Sequence, residues 1–403
     1  MDRLLQLGVV SLPRIIINVC HQINFNNIMR TKLVILLMIF LFSCGRESSR
    51  EKNNTSSVLE IDLLSEPEFG ITKLSEIAEN VEYIPLQTTD SSLLGDLVRK
   101  IVNIDNKVYI LNSGLEDEIL CFNTDGKFSY KINKTGRGPE EYLSITDFDI
   151  SYDNSLLTIF SSSDSRLMVY GISESGFTFQ RSVSLSDPRP YRIAVVPETD
   201  KIFLAIPPWT GTEPTLSLLI NTVGDTIHFK QNCYKYEIVG GKQFRAFNEV
   251  LIYSIEDKVC FKETFSDTVF FIDAKENSFM PRIIFESHGT FVTPEMKSGS
   301  ETPRNNTNWI ANIFETSKYV FYWYGTSFDR YRILYDKKTN AKYKLDVDNE
   351  SRTLMKNDLS GGPDFNIDFF NNYCSSGKLF SFVDAIILKK YVAGEDFKNS
   401  KVM

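Results

Sequence analysis

The sequence predicts an all-β fold, a six-bladed β-propeller in which an N-terminal strand closes the last blade. Three observations lead there. First, one pattern recurs six times: a small polar residue with Lys or Ser, then a dense apolar run. The copies are NKVYIL at 106, NSLLTIF at 154, DKIFLAI at 200, DKVCFKE at 257, SKYVFYW at 317 and GKLFSFV at 377. Their first apolar residues lie 48, 46, 57, 60 and 60 residues apart, a period that fits blades of three or four strands. Second, most copies lead into a second apolar run and a polar turn, as in EILCFN, RLMVYGI, LSLLIN, TVFFID and YRILYD. Third, the runs are nearly continuous instead of alternating, as expected for strands covered on both faces by neighbouring blades. A β-sandwich or two stacked β domains is the alternative that strand content alone leaves open. Amphipathic helix is scarce, with Ile71 to Ala78 and Asn308 to Phe314 as the best short candidates.

The elements before the repeats read as an address. The apolar run Leu33 to Phe42 is about half the roughly 20 residues that a membrane-crossing helix needs. It follows Arg30 and Lys32 and ends in Leu41-Phe42-Ser43-Cys44-Gly45. A basic start, a short apolar stretch and a small-residue exit describe a secretory signal. Residues 29–44 therefore read as a lipoprotein signal ending at a lipidated Cys44, although Phe42 replaces the usual small or β-branched residue. An ordinary buried helix with a chance cysteine is the alternative. Residues 1–28 read as a non-structural extension from a start site placed too early, Met29 being the better start; a genuine extension is the other reading. Residues 45–57 are too polar to bury a core and read as a tether. VLEIDLL, 58–64, is a lone strand expected to complete the last blade, with the propeller spanning 58–392 and a polar tail over 393–403. The longest insertion, 287–308, is expected to project as a loop.

Composition excludes several classes. The formal charge is −8, and no run of Lys or Arg forms the basic stripe that a nucleic-acid partner needs. Cys121, Cys233, Cys260 and Cys374 have irregular gaps with no metal-site spacing, and Cys121 and Cys260 lie inside apolar runs, so buried thiols are expected. An oxidising compartment leaves pairing of two of them open. Beyond the signal only His228 and His288 remain for histidine chemistry. No cofactor or metal is expected.

In order along the chain, Cys44, VEYIPLQTTDSSLLGDLVRKI from 81, KVYILNSGLEDEILCFNTDGKF from 107, GRGPEEYLSITDFDI from 136 and NDLSGGPDF from 357 carry a resemblance. They resemble the six-bladed β-propeller lipoproteins of gut anaerobes, loosely similar to NHL-repeat propellers. IPLQTT and GRGPEEY are the most specific blocks; residues 180–310 match only in rhythm. The resemblance implies a lipid-anchored propeller, and many members are similar to accessory proteins of outer-membrane nutrient uptake systems; Gly45 after Cys44 carries no acidic retention signal, so the outer membrane is the expected location, with its face left open. It implies no activity.

KTGRGPEEY is the most distinctive polar segment. Gly136 and Gly138 permit unusual backbone angles and Pro139 stiffens the turn. It joins an outer strand to the next inner strand. Arg137, Glu140, Glu141 and Tyr142 are thus candidates to border a ligand pocket, with Arg137 donating and a glutamate accepting. The competing expectation is a clamp between blades, with Arg137 paired to a carboxylate and Tyr142 packed. Trp209 in PPWTG and Trp309 in TNWIANIF are candidate stacking surfaces for a sugar; packing is the alternative for each. Asp147 and Asp149 are possible channel-lining carboxylates, which a Ca²⁺-dependent propeller hydrolase would gather from separate blades. The expected function is a non-catalytic binding or scaffold module for a glycan, peptide or envelope protein. A hydrolase or lyase on glycan or lactone is the alternative, and a signalling partner of a membrane complex a third.

Overall fold

In a computed structural model, residues 6–11, 58–95, 97–114, 116–185, 190–241, 248–325, 330–345, 354–366, 378–383 and 385–394 are described. The segment expected to be a signal, Cys44 and the expected tether lie outside them. Strands are numbered along the chain. β1 (Gln6–Ser11), β2 (Leu59–Asp62), β3 (Phe69–Ile71) and β4 (Asn80–Pro85) precede the blades. Blade one holds β5 (Leu97–Ile104), β6 (Lys107–Ser113), β7 (Asp117–Asn123) and β8 (Phe128–Ile132). Blade two holds β9 (Asp147–Ile150), β10 (Leu156–Ser161), β11 (Arg166–Ser173) and β12 (Gly176–Ser184). Blade three holds β13 (Arg192–Val195), β14 (Ile202–Ala205), β15 (Thr215–Ile220) and β16 (Thr226–Gln231). Blade four holds β17 (Leu251–Ile255), β18 (Lys258–Lys262), β19 (Thr268–Asp273) and β20 (Ser278–Glu286). Blade five holds β21 (Trp309–Glu315), β22 (Tyr319–Gly325), β23 (Arg330–Asp336) and β24 (Lys342–Leu345).

Each blade is an antiparallel meander, and the first strands of successive blades pack side by side from β5 to β21. That radial succession makes the chain a β-propeller. The first five copies of the repeated pattern are the second strands β6, β10, β14, β18 and β22. Their leading polar residues belong to hairpin turns, where Asp105, Asn154, Glu198 and Glu256 take positive φ, as tight turns between strands require. The runs after them are buried almost throughout, for example Val108 to Leu111 and Val320 to Trp323.

The blade count corrects the sequence expectation: among the described residues five four-stranded blades are formed, not six. The sixth copy becomes β27 (Lys378–Val383) in a three-stranded sheet of order β27-β1-β4. Its Phe380 packs with Ile84 and Ile110 toward blade one, and its Leu379 joins the cluster of blade five. Among the described residues no further strand follows it; the next run, Ala385–Ala393, with two Ala, two Lys and one Leu, forms helix α2. The small hairpin β25 (Leu354–Met355) with β26 (Phe365–Asn366) precedes it.

The closing strand is corrected too. β2 does not complete the last blade; it adds in parallel to the outer edge of β20 in blade four, and β3 adds in parallel to β24 in blade five. Within residues 1–28, expected to be non-structural, Gln6–Ser11 pairs with both β27 and β4. Of the two helix candidates, the first contains only a 3-10 turn at Leu74–Glu76, and the second is strand β21. Insertion 287–308 carries one short helix, α1 (Pro294–Ser298), opened by Thr293 and closed by Gly299. Cys121, Cys233 and Cys260 are free thiols, the first and last buried.

Candidate functional site

Meander topology sorts the loops. Connections from second to third strands, and from each outer strand to the next inner strand, share one face of the ring. The GRGPEEY turn, the PPWTG loop and the start of β21 therefore open on the same face, which collects every candidate from the ligand-binding set. It does not bring them together.

Tyr142 is fully buried; its hydroxyl accepts from Lys134 N at 3.1 Å and faces the carbonyls of Ile132 and Asp117 at 3.4 Å. Burial raises the Tyr142 phenol pKa. The Glu141 carboxylate turns inward and accepts from Gly138 N at 2.8 Å, lying so close to Gly136 that a Cβ there would fall 1.9 Å from Oε2. Gly136 has no positive φ, so a backbone angle does not require glycine there; a Cβ would displace the Glu141 carboxylate from its place. The backbone carbonyls of Glu140 and Glu141 accept from Tyr170 and Arg166 of the next blade. Glu140 pairs with Lys134 at 3.3 Å at the surface. The block is thus a clamp between blades one and two, with Arg137 exposed beside it instead of paired in it. Trp309 lies over Gly325, its cross-strand partner, so packing describes it better than an open platform.

Trp209 differs. It is 42% exposed, and its ring meets Tyr191 edge to face with centroids 5.4 Å apart. Tyr191 in turn carries the Arg192 guanidinium 5.0 Å from its ring centre. Arg192 opens β13 and reaches to 3.8 Å from Asp147, which opens β9 and pairs with the buried Lys100 at 2.9 Å. Trp209, Tyr191, Arg192, Asp147 and Lys100 form one continuous series from solvent into the packed inner strands. Rings with a polar edge and a cation beside them suit a sugar ring or a carboxylate-bearing chain.

The two aspartates are used by the fold. Asp147 Oδ2 accepts from Ile193 N and Asp149 Oδ2 from Val195 N, both at 2.8 Å. Residues two apart on β9 point the same way and so cap alternate N–H groups on the edge of β13. Lys100 also donates to the Phe148 carbonyl. Burial, helped by Asp147, raises the Asp149 pKa to about 6, against the opposing pull of Lys100 and the Val195 N–H. A second buried cation, Lys262, donates to the Glu263 carbonyl at 3.0 Å and lies 4.6 Å from the Phe291 ring centre. Burial lowers its pKa to about 7. Among the described residues no group of three or more His, Cys, Asp or Glu side chains is placed to hold a metal ion, and no helix is long and apolar enough to cross a membrane.

Sequence reasoning missed Tyr191, Arg192 and Lys100. PYRIAV at 190 was the available signal, an aromatic and a cation at the head of an inner strand, but its neighbours come from loops and strands of other blades.

No curated protein matches the chain in sequence. Among solved structures, the chain is similar to a protein of Bacteroides fragilis NCTC 9343 assigned as exported, with TM-score 0.52 and 18% identity over 72% of this chain and 79% of that one. It is also similar to a DUF4221 protein of Bacteroides vulgatus, with TM-score 0.44 and 12% identity over 75% and 96% of the two chains. The first of these likenesses concerns the fold alone. The sequence profile of one family covers residues 59–402, all five blades included, and the chain belongs to that family, the domain of unknown function DUF4934.

Proposed function

We propose that the chain is a non-catalytic binding module whose loop-bearing face holds a glycan or peptide against Trp209, with Arg192 beside it. The single observation that carries this reading is the exposed Trp209 ring braced by Tyr191 and flanked by a guanidinium. Stacking supplies area, and Arg192 supplies a directed donor for a hydroxyl or carboxylate. Asp147 and Asp149 support a binding module over a hydrolase, since both carboxylates already accept backbone N–H groups. The test is a glycan and peptide array probed with the parent protein, followed by calorimetry with Trp209→Ala and Arg192→Ala. A ligand that loses at least tenfold in affinity in both variants, with unchanged melting, supports the site. Equal binding by parent and variants overturns it.

Lipidation at Cys44 is the accompanying proposal, with the outer membrane as location and an outer-membrane uptake complex as partner. The signal-like residues 29–44 support it, as does the exported assignment of the Bacteroides fragilis neighbour. Several acyl chains anchor stably where one is marginal. Processing at Cys44 would remove strand β1, so the intact mass of the protein from its native membrane is decisive. A mass starting at an acylated Cys44, lost with Cys44→Ala, supports the anchor; a mass that retains Gln6–Ser11 overturns it.

A further inference from the structure

Adjacent blades diverge from the ring axis, so each seam needs filling toward the rim. Between blades one and two, Tyr130 and Phe177 meet at 5.0 Å. Between blades three and four, Phe203 and Phe261 meet at 4.4 Å, with His228 and Phe279 outside them. Between blades four and five, β2 enters as an extra strand, and its Ile61 and the following Leu63 are buried in the seam. The seam between blades two and three is filled chiefly by aliphatic side chains, Val183, Leu204 and Ile220 among them, with Phe160 as the buried aromatic member of its cluster. There a cleft of about 370 Å³ stays open, lined by Leu185, Leu204, Leu218, Ile220, Thr226 and Phe229. Phe229 is 53% exposed at its mouth.

The cleft lies where β2 lies two blades further on. In blade four the outer strand β20 bulges at Arg282, and the four residues after the bulge, Ile283 to Glu286, carry β2 in parallel register. In blade two the outer strand β12 bulges at Gln180, and four residues follow, Arg181 to Ser184. Among the described residues no strand pairs with their outer edge. In the filled seam, Lys342 at the start of β24 donates to the Asp62 carbonyl at 2.8 Å, and Leu63 N donates to Glu286 O at 3.0 Å. Thr226, at the start of β16, and Ser184, at the end of β12, hold the matching places beside the cleft. Its lower end is closed by Val183 against Gly224 and by Arg181 donating to Thr222 O.

We infer that the edge Arg181–Ser184 of β12 receives an extended segment of a partner polypeptide. The segment runs parallel to β12, and two apolar side chains at alternate positions enter the cleft and meet Phe229, as Ile61 and Leu63 fill the other seam. Strand addition of this kind takes affinity from the main chain and selectivity from alternate side chains. The inference concerns the rim and stands apart from the Trp209 face.

The experiment pans a phage-displayed library of random heptapeptides against the folded protein, then synthesises the enriched peptides. Apolar residues at alternate positions are expected, with affinity falling at least tenfold in Phe229→Asp and in Leu185→Asp, and lost when alternate peptide nitrogens are methylated. Trp209→Ala is expected to bind them as the parent does. Unchanged melting of Phe229→Asp, a largely exposed position, shows that the fold is kept. Lack of enrichment, equal binding by both variants, or equal binding of the methylated peptides (an apolar-ligand pocket instead) overturns the inference. So does self-association of the parent that Phe229→Asp abolishes, which makes the occupant a second copy.

Discussion

The seam between blades four and five and the seam between blades two and three are made from the same kinds of strand, yet they are filled differently. The first is closed by an extra strand and by a buried ionic knot: Glu315 accepts from Arg282 at 2.6 and 3.0 Å, from Lys337 at 2.5 Å and from the Tyr253 hydroxyl at 2.5 Å. The second is held at its inner edge by carboxylates on backbone N–H groups and left open at its rim. The contrast teaches that inner strands set the ring, while filling of the outer wedge is a separate matter on which seams of one chain differ.

Breaking the knot is the largest test. Glu315→Ala leaves Arg282, Lys337 and Tyr253 without their acceptor in a buried place, and a loss of about 3–5 kcal/mol is expected in urea unfolding. A loss below about 1 kcal/mol would mean that the filled seam does not depend on its charges. Ile61→Ala removes apolar volume from the extra strand and is expected to cost about 2–5 kcal/mol. If it costs far less, β2 is an ornament on blade four and not its filler.

The open seam answers to pH. Asp149 has a folded pKa of about 6, above the ordinary 3.8. Its contribution is therefore complete below pH 3.8 and is lost as pH rises through 6, by about 3 kcal/mol at most. Asp149→Asn keeps an oxygen for the Val195 N–H and removes the titration. Relative to the parent it is expected to gain stability between pH 4.5 and pH 7.5; a constant difference across that range counts against the assignment. The smallest effect belongs to Phe229→Asp, expected within about 0.5 kcal/mol of the parent in thermal melting. A large loss there would show that the mouth of the open cleft already serves the fold.

Much of the ring was legible in the sequence, because a strand buried on both faces must be apolar along its length, and the turn before it needs a residue tolerant of positive φ. NKVYIL, NSLLTIF, DKIFLAI and DKVCFKE meet the first demand; Asp105 and Asn154 at the first two turns meet the second, whereas Glu198 and Glu256 hold the same place without that preference. The sixth copy satisfied the same local rule and still joined a smaller sheet, since its neighbours in sequence form a helix. VLEIDLL was recognisable as a strand, but an added edge strand is held by main-chain hydrogen bonds, which carry no address in the side chains. The clamp role of Tyr142 was foreseeable from its place between two strands. Asp147 and Asp149 stood out as residues, whereas their partners, Ile193 and Val195, are backbone groups, and Arg192 beside Trp209 follows only from the closing of the ring.

The added strands also set an order of events. Residues 59–71 leave the ribosome before any blade, but their partners in β20 and β24 are made only after blades one to three are complete. Long-range pairing of this kind is slow to form and waits on the rest of the chain. The first three blades have every one of their strands in hand as synthesis proceeds, while the fourth and fifth must recover a segment that has waited exposed since the start. Ile61 and Leu63 are therefore apolar side chains that wait through three finished blades for their partners, and the nascent chain is open to mispairing at this segment, which will later brace its last blades.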